Sequence, residues 1–301
     1  MANNTVNGIS ILVPVYNFSI IELWNSLLPA LKKTDIPHEI IFMDDCSPDK
    51  ELSDKNRQFT GNQENTNYIL LEKNIGRASI RNELAEKAQY EHLLFIDVDS
   101  KITDENFICN YLENSTKASI LVGGTCYCAL TNPTFSLRYY YGKAREEVSA
   151  NARNKKPYDT LTLNNIFIEK HIYQRFKLDE TFKQYGHEDT KFGYDLKHNA
   201  VSILHLDNPV EHIGLEENHV FLDKTRKGVE NFAVLVQQGF GTESKLFSTY
   251  NALKRYRLLG VFNAVYKLFS KRIIRNLNSE KPSIRLFDVF KLKMFVDLMR
   301  K

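Results

Sequence analysis

The sequence predicts an α/β domain with a Rossmann-like, mostly parallel sheet flanked by helices, followed by a helical C-terminal extension. Three observations predict it. Short β-rich apolar runs alternate with helical patterns through the first 130 residues, the signature of parallel pairing with right-handed crossovers. Runs such as Ile9–Val15 are apolar almost throughout, as expected of a strand covered on both faces. From residue 220 onward the pattern is helical.

The elements follow in order. Residues 9–15 form the first strand. Ser19 and Glu22 have the spacing of a capping box, and the helix they open carries Ile20, Leu23, Trp24, Leu27, Leu28 and Leu31 on one stripe, with Pro29 expected to kink or shorten it. Strands are predicted at 39–43, 68–71, 92–97 and 119–129, and helices after Ser47 and over 78–88. Further strands are expected at 161–168 and 201–206, with a helix opening near Glu188. This divides the chain into an α/β domain over 1–220, with a change of pattern near residue 130, and a basic helical region over 221–301.

Composition narrows the class. With 43% hydrophobic and 26% charged residues, the chain reads as an ordinary soluble globular protein. No run of eighteen apolar residues predicts a spanning helix, and residues 1–8 lack the basic and apolar regions of a signal peptide, so a cytoplasmic location is expected. Cys46, Cys109, Cys126 and Cys128 do not make a disulfide framework. The Cys126-x-Cys128 pair reads as buried thiols on one strand face; zinc would need ligands that no neighbouring cysteine or histidine supplies. Charge is unevenly spread. Residues 245–301 hold 14 Lys+Arg against 3 Asp+Glu, whereas the rest of the chain holds 26 against 34.

Ligands of open α/β sheets bind beyond the carboxyl ends of the strands. Here three apolar runs end on one rim in Tyr16-Asn17, Asp44-Asp45 and Asp97-Val98-Asp99. Alternation would put Asp97 and Asp99 on one side, able to approach a hard cation that bridges a diphosphate; a solvated loop or cap pair has the same spacing. Asp44-Asp45 can accept hydrogen bonds from a nucleobase or ribose, or help cap the next helix together with Ser47 or Asp49. In Asn74-Ile75-Gly76-Arg77-Ala78-Ser79-Ile80-Arg81-Asn82, Gly76 admits close backbone approach, and Arg77 and Arg81 share a helix face. Those arginines either pair with phosphate or hold the acidic rim. Glu188-Asp189 suits a helix start through the dipole, or supplies a carboxylate base. His212 can offer a neutral nitrogen to a metal, or be an ordinary loop histidine.

These motifs occur together and in order: Ile11-Leu12-Val13-Pro14-Val15-Tyr16-Asn17, Asp44-Asp45, Asn74-Ile75-Gly76 with Arg81-Asn82, Asp97-Val98-Asp99, and Gly186-His187-Glu188-Asp189. In this the chain resembles the family 2 glycosyltransferases, of non-processive type, over about residues 8–220. The resemblance implies a GT-A catalytic domain over 1–220, with a nucleotide-sugar half over about 8–130 and an acceptor half over about 131–220, and an inverting, metal-dependent transfer of one sugar from a nucleoside-diphosphate sugar, UDP-linked by the family's habit. It implies that Pro14, Val15 and Tyr16 line the nucleobase pocket beside Asn17, that Asp44 contacts base or ribose with Asp45 adjacent, and that Gly76, Arg77 and Arg81 border the nucleotide. Asp97 would lie near ribose or metal-bound water, Asp99 would be the main ligand of Mn²⁺ or Mg²⁺, and His212 would be a further ligand. Asp189 would be the base, with Glu188 assisting the acceptor. Cys46 stands where many members have a small residue, and Tyr185-Gly186-His187-Glu188-Asp189 lacks the common tryptophan, so acceptor preference is not carried over. The Gln-x-x-Arg-Trp motif and spanning helices of the processive branch are absent from this sequence.

Two rival classes fit the sequence less well. A sugar-phosphate nucleotidyltransferase would need a Gly-rich, lysine-bearing phosphate loop where Pro14-Val15-Tyr16-Asn17 stands. A non-catalytic nucleotide- or glycan-binding protein would not need the intact acidic residues. The expected acceptor is a glycan or a lipid-linked hydroxyl, as in surface polysaccharide synthesis. The basic segment 245–301 interleaves cations with Leu, Val and Phe. This pattern suits peripheral contact with the inner face of the cell membrane, a cap on the acidic domain, or a homodimer surface; nucleic acid is not expected.

Overall fold

β1 (Ile9–Val15) lies inside the main sheet, and its residues explain why. Ile9, Ile11, Val13 and Val15 enter one buried cluster and Leu12 enters another, so both faces of the strand are covered. The computed structural model describes residues 6–181, 188–240 and 244–300. β1 pairs in parallel with β2 (His38–Asp44) on one side and β4 (His92–Ile96) on the other. β3 (Thr66–Leu70) extends the parallel set beyond β2. β8 (Asn165–Glu169) runs antiparallel to both β4 and β6 (Ile120–Val122), and β9 (Ile203–His205) closes the edge parallel to β6. The order is β3-β2-β1-β4-β8-β6-β9. A second sheet of three short strands has β10 (Val210–His212) between β5 (Ser100–Ile102) and β7 (Thr125–Cys126).

The chain divides into two compact units. The first comprises, among the described residues, 6–126, 147–181 and 188–214. On one sheet face α1 (Ile21–Lys32) and α4 (Phe107–Asn114) bury Leu23, Leu27, Phe107 and Tyr111 against β1 and β4. On the other, α3 (Arg77–Lys87), α7 (Lys170–Phe176) and α8 (Glu188–His198) bury Ile80, Leu84, Tyr173, Phe192 and Leu196. α2 (Lys50–Thr60) and the short α6 (Ala150–Arg153) complete the unit.

The second unit holds residues 127–146 and, among the described residues, 215–240 and 244–300. It consists of α5 (Ser136–Arg145), α9 (Asn218–Gln237), α10 (Lys245–Arg255), α11 (Leu259–Leu277) and α12 (Ile284–Leu298). Phe221, Leu222, Ile273, Leu277, Phe287 and Phe290 form one of its cores, and Phe232, Tyr250, Phe295 and Val296 another. Asn218 anchors the start of α5 by accepting from Leu137 N–H at 2.7 Å. The break after Gly214 falls slightly before the expected one at 220. Residues 127–146, expected in the acceptor half, pack instead with the C-terminal helices.

Several local expectations are corrected. The capping box at Ser19 and Glu22 does not form: α1 starts at Ile21, with Ile20 at its N-cap and no side-chain cap. Pro29 does not end the helix, which continues to Lys32. The strand expected over 119–129 is broken after Val122, where Gly124 adopts φ +91°; a Cβ there would lie 2.6 Å from the Arg153 guanidinium. The Cys126-x-Cys128 pair is not buried as expected: Cys126 is partly covered and Cys128 is exposed.

Candidate active site

The carboxyl ends of β1 and β2 are stitched together by backbone geometry. Asn17, at φ 51°, donates its N–H to Ser47 Oγ at 2.7 Å, and its side-chain oxygen accepts from Asp49 N–H at 3.3 Å. Asp45 N–H donates to the Val15 carbonyl at 2.9 Å. Tyr16 is left 55% exposed on the rim, where an aromatic face can stack on a planar base. Pro14 lies half-buried beneath it. Val15 points into the hydrophobic core, so its side chain does not line a pocket as expected; only its backbone faces the rim linkage.

Adjacent carboxylates at the end of β2 have separate tasks. Asp44 is wholly enclosed. Its Oδ1 accepts from Ser47 N–H at 2.7 Å, and its Oδ2 from Ser53 Oγ at 2.7 Å and Tyr68 Oη at 2.5 Å. Burial pushes its pKa up, but the hydroxyls of Tyr68, Ser47 and Ser53 and the Ser47 amide outweigh this and hold it below the ordinary value. The direct base or ribose contact expected of Asp44 does not fit these bonds. Its carboxylate ties β2 to α2 and β3, while Asp49 caps α2 by accepting from Leu52 N–H at 3.0 Å. Asp45 clamps the next loop, accepting from Ile75 N–H at 2.6 Å and Gly76 N–H at 3.0 Å. Burial raises its pKa, the two amides oppose that, and the charge of Asp44 adds to it. Gly76, at φ 87° and ψ 168°, is in a region nearly closed to other residues, and it opens α3.

Arg81, one turn into α3 from the exposed Arg77, is almost fully buried. Its Nη2 meets Asp97 Oδ1 at 2.5 Å, and its Nη1 donates to the Arg77 carbonyl at 3.1 Å. Of the two readings offered for the arginines, Arg81 takes the one that holds the acidic rim. Asn82 beside it donates to the Leu178 carbonyl and to Glu180, fixing the segment that leads toward α8. Glu188 and Asp189 begin that helix. Glu188 is buried, and its Oε2 has no hydrogen-bond partner among the described residues. Asp189 Oδ1 accepts from Thr190 N–H at 2.7 Å. Burial, and then the negative charge of Glu188, push the Asp189 carboxyl up to about 7; Thr190 and the Arg81 charge oppose this. Tyr185, Gly186 and His187 of the same motif lie outside the described residues.

Asp97 and Asp99 are not related by strand alternation. β4 ends at Ile96, and a turn closed by Ser100 N–H on the Asp97 carbonyl at 3.1 Å follows, with Val98 buried. Asp97 turns to Arg81, whereas Asp99 faces His212. The small sheet arranges the second pair: His212 stands opposite Ser100 in the β10–β5 register, and Ile213 N–H donates to the Asp99 carbonyl at 2.8 Å. His212 Nδ1 then lies 3.6 Å from Asp99 Oδ1, a separation that allows both to bind one small cation. Gly214 makes this approach possible, because a Cβ there would sit 2.5 Å from Asp99 Oδ2. Among the described residues no three metal-ligating side chains cluster. One carboxylate and one imidazole still fit Mg²⁺ or Mn²⁺, whose remaining positions are commonly filled by substrate phosphates and water.

Sequence reasoning missed Tyr68, Ser53 and Gly214. Tyr68 was visible only as a strand residue, and Gly214 carried no motif; their roles arise from contacts across the fold.

The family model for Glycosyl transferase family 2 matches residues 10–176. A curated relative, the "Putative teichuronic acid biosynthesis glycosyltransferase TuaG" of Bacillus subtilis (strain 168), is 32% identical over 94 residues. That alignment takes in 31% of this chain and 36% of the relative, about a third of its length. Solved structures of S. aureus TarS share the fold. TarS 1-349 in complex with UDP aligns over 97% of this chain and 90% of its own at 20% identity and TM-score 0.51. TarS 1-349 in complex with UDP-GlcNAc aligns over 75% and 66% at 22% identity and TM-score 0.50. The expected GT-A architecture is therefore present, with a helical C-terminal region.

Proposed function

Since the chain belongs to glycosyl transferase family 2, we propose that it transfers one sugar, with inversion, from a nucleoside-diphosphate donor to an acceptor hydroxyl. The observation that carries this reading is the grouping, within the first unit, of Asp97 with Arg81, whose charge also acts on Asp189, and of Asp99 with His212. UDP is the preferred donor nucleotide, supported by the bound UDP and UDP-GlcNAc of the TarS structures. A glycan or lipid-linked acceptor of surface polysaccharide synthesis is supported by the name of the teichuronic acid relative.

Tyr16 stacks on the base, and the loop held by Asp45 at Ile75 and Gly76 borders the ribose and diphosphate with Arg77. Asp189, as carboxylate, takes the acceptor's proton while the acceptor oxygen bonds to the anomeric carbon. The bond from that carbon to the β-phosphate oxygen breaks, and its electron pair leaves with the nucleoside diphosphate. Burial, and then the charge of Glu188, keep the Asp189 pKa high enough for base strength near neutral pH, and Arg81 fixes Asp97 at the rim. Asp99 and His212 would hold a divalent cation, which would supply positive charge to offset that of the departing diphosphate.

A panel of nucleotide sugars with Mn²⁺ tests this. Release of UDP from one UDP-sugar, lost in Asp189→Asn with donor binding kept, is expected. Absence of nucleotide release from every donor, with and without candidate acceptors, would end the proposal.

A further inference from the structure

Eight lysines and arginines and no acidic residue lie between Ser244 and Ser279. None of those eight cations forms an ion pair among the described residues. The segment contains α10 and α11. α11 is inward-satisfied: Ile273 and Leu277 are buried, and Tyr266 packs on the same core. Its outward face is nevertheless apolar. Val261, Val265 and Leu268 fall at i, i+4 and i+7, with Leu258 and Phe269 alongside, and Leu268 is 76% exposed. A helix turned to water ordinarily places polar residues there. By helical spacing Arg272 falls within this stripe and Arg275 beside it, with Lys271 and Lys267 following round one flank. All four are exposed, and Arg272 lies 6.0 Å from the Phe269 ring centroid. Tyr256, 68% exposed just before α11, is matched in the same way by Arg255 at 6.0 Å. A shallow groove along α11 is lined by Ser270, Lys271, Ile274, Arg275 and Asn278, of which all but Ile274 carry side-chain donors suited to an anionic headgroup.

We propose that the outward face of α11 docks on an anionic lipid surface. Val261, Val265, Leu268 and Phe269 enter the acyl boundary, while Lys267, Lys271, Arg272 and Arg275 meet the headgroups. Charge complementarity selects this occupant: an acid-free face repels a second copy of itself, while anionic lipid neutralises it. Among the described residues no helix is long and apolar enough to cross a membrane, so α11 lies in the interface. The inference stands apart from the proposed transfer reaction, since it uses none of that site's residues.

The full chain is sedimented with vesicles of phosphatidylcholine alone or mixed with phosphatidylglycerol. Binding to the mixed vesicles, weakened by salt and weak on neutral ones, is expected. Val265→Asp with Leu268→Asp abolishes it. Lys271→Glu with Arg272→Glu and Arg275→Glu lowers partition by about a hundredfold or more, each cation near the surface being worth about fivefold. These positions are exposed, so unchanged circular dichroism and donor turnover without vesicles confirm a folded chain. Equal binding to both vesicle types, or binding kept in both variants, overturns the proposal. So does a dimer that Leu268→Asp dissolves in a protein that ignores vesicles. Vesicle binding in a chain that releases no nucleotide would support it while removing only the proposed activity.

Discussion

Arg81 and Asp97 meet at 2.5 Å with unequal exposure: the guanidinium is enclosed, while 28% of the carboxylate side chain faces solvent. The pair is thus anchored from inside and offers its open edge to the rim. Replacing Arg81 by Met strands a carboxylate and removes a positive charge that opposes the rise of the Asp189 pKa. A loss of about 3 kcal/mol in urea unfolding is expected, the lower range for breaking a mostly buried pair. The acid limb of activity should also move to higher pH. An unchanged limb would disconnect Arg81 from the base.

As the proposed base, Asp189 should set the pH dependence. Its carboxyl is raised to about 7, first by burial and then by Glu188, and only the deprotonated form accepts a proton. The value of kcat/KM should therefore fall about tenfold per pH unit below that point and level off above it. Glu188→Gln removes the like charge and should shift the limb to lower pH. A limb that stays in place in this variant would detach it from the Glu188–Asp189 pair.

The same shift has a stability sign. A carboxyl raised in the folded state contributes stability that is whole below its ordinary value of 3.8 and is lost as pH rises through about 7. Asp189→Asn should thus raise Tm relative to the parent at mildly alkaline pH and lose that advantage in acid. Thermal melts across pH would detect a constant offset, the result that contradicts this.

Gly214→Ala would place a methyl group 2.6 Å from Asp99 Cβ, which cannot yield as a side-chain tip would. Asp99 must swing away from His212. The Mn²⁺ concentration for half-maximal donor turnover should rise about tenfold or more, the usual effect of disturbing a ligand's support. Titration of activity with Mn²⁺ measures it, and an unchanged curve would exclude these two residues as joint ligands.

Tyr68→Phe deletes one of the bonds to the buried Asp44 carboxylate, at a cost of about 1.5–3 kcal/mol. Asp44 titrates below its ordinary 3.8 in the folded state, so its contribution is present above that value and lost as pH falls through the folded one. The difference between variant and parent in urea melts should be steady near neutrality and shrink in acid. Nucleotide affinity should be retained; its loss would mean that Tyr68 faces the ligand.

The sequence was most informative where chemistry and periodicity are local. β1, β4 and α3 follow from apolar runs and a glycine at a helix start, and the acidic rim from where those runs stop. Asp44 and Asp45 show the limit. As neighbours in sequence they read as one pair, yet one closes on Tyr68 and Ser53 and the other on Ile75 and Gly76. Which way each turns depends on strands brought in from elsewhere. Asp97 and Asp99 diverge similarly because the chain turns at Val98, which spacing alone does not reveal.

β10 inserts between β5 and β7 more than a hundred residues after Asp99 has been laid down. A nascent chain on the ribosome therefore carries Asp99 long before its histidine partner exists, and this corner of the site is completed only when the final strand of the first unit slots home. Non-local closure of this kind is slow to form. A truncation just ahead of residue 210 would leave the main sheet's strands and the Asp45 clamp in sequence while deleting the histidine.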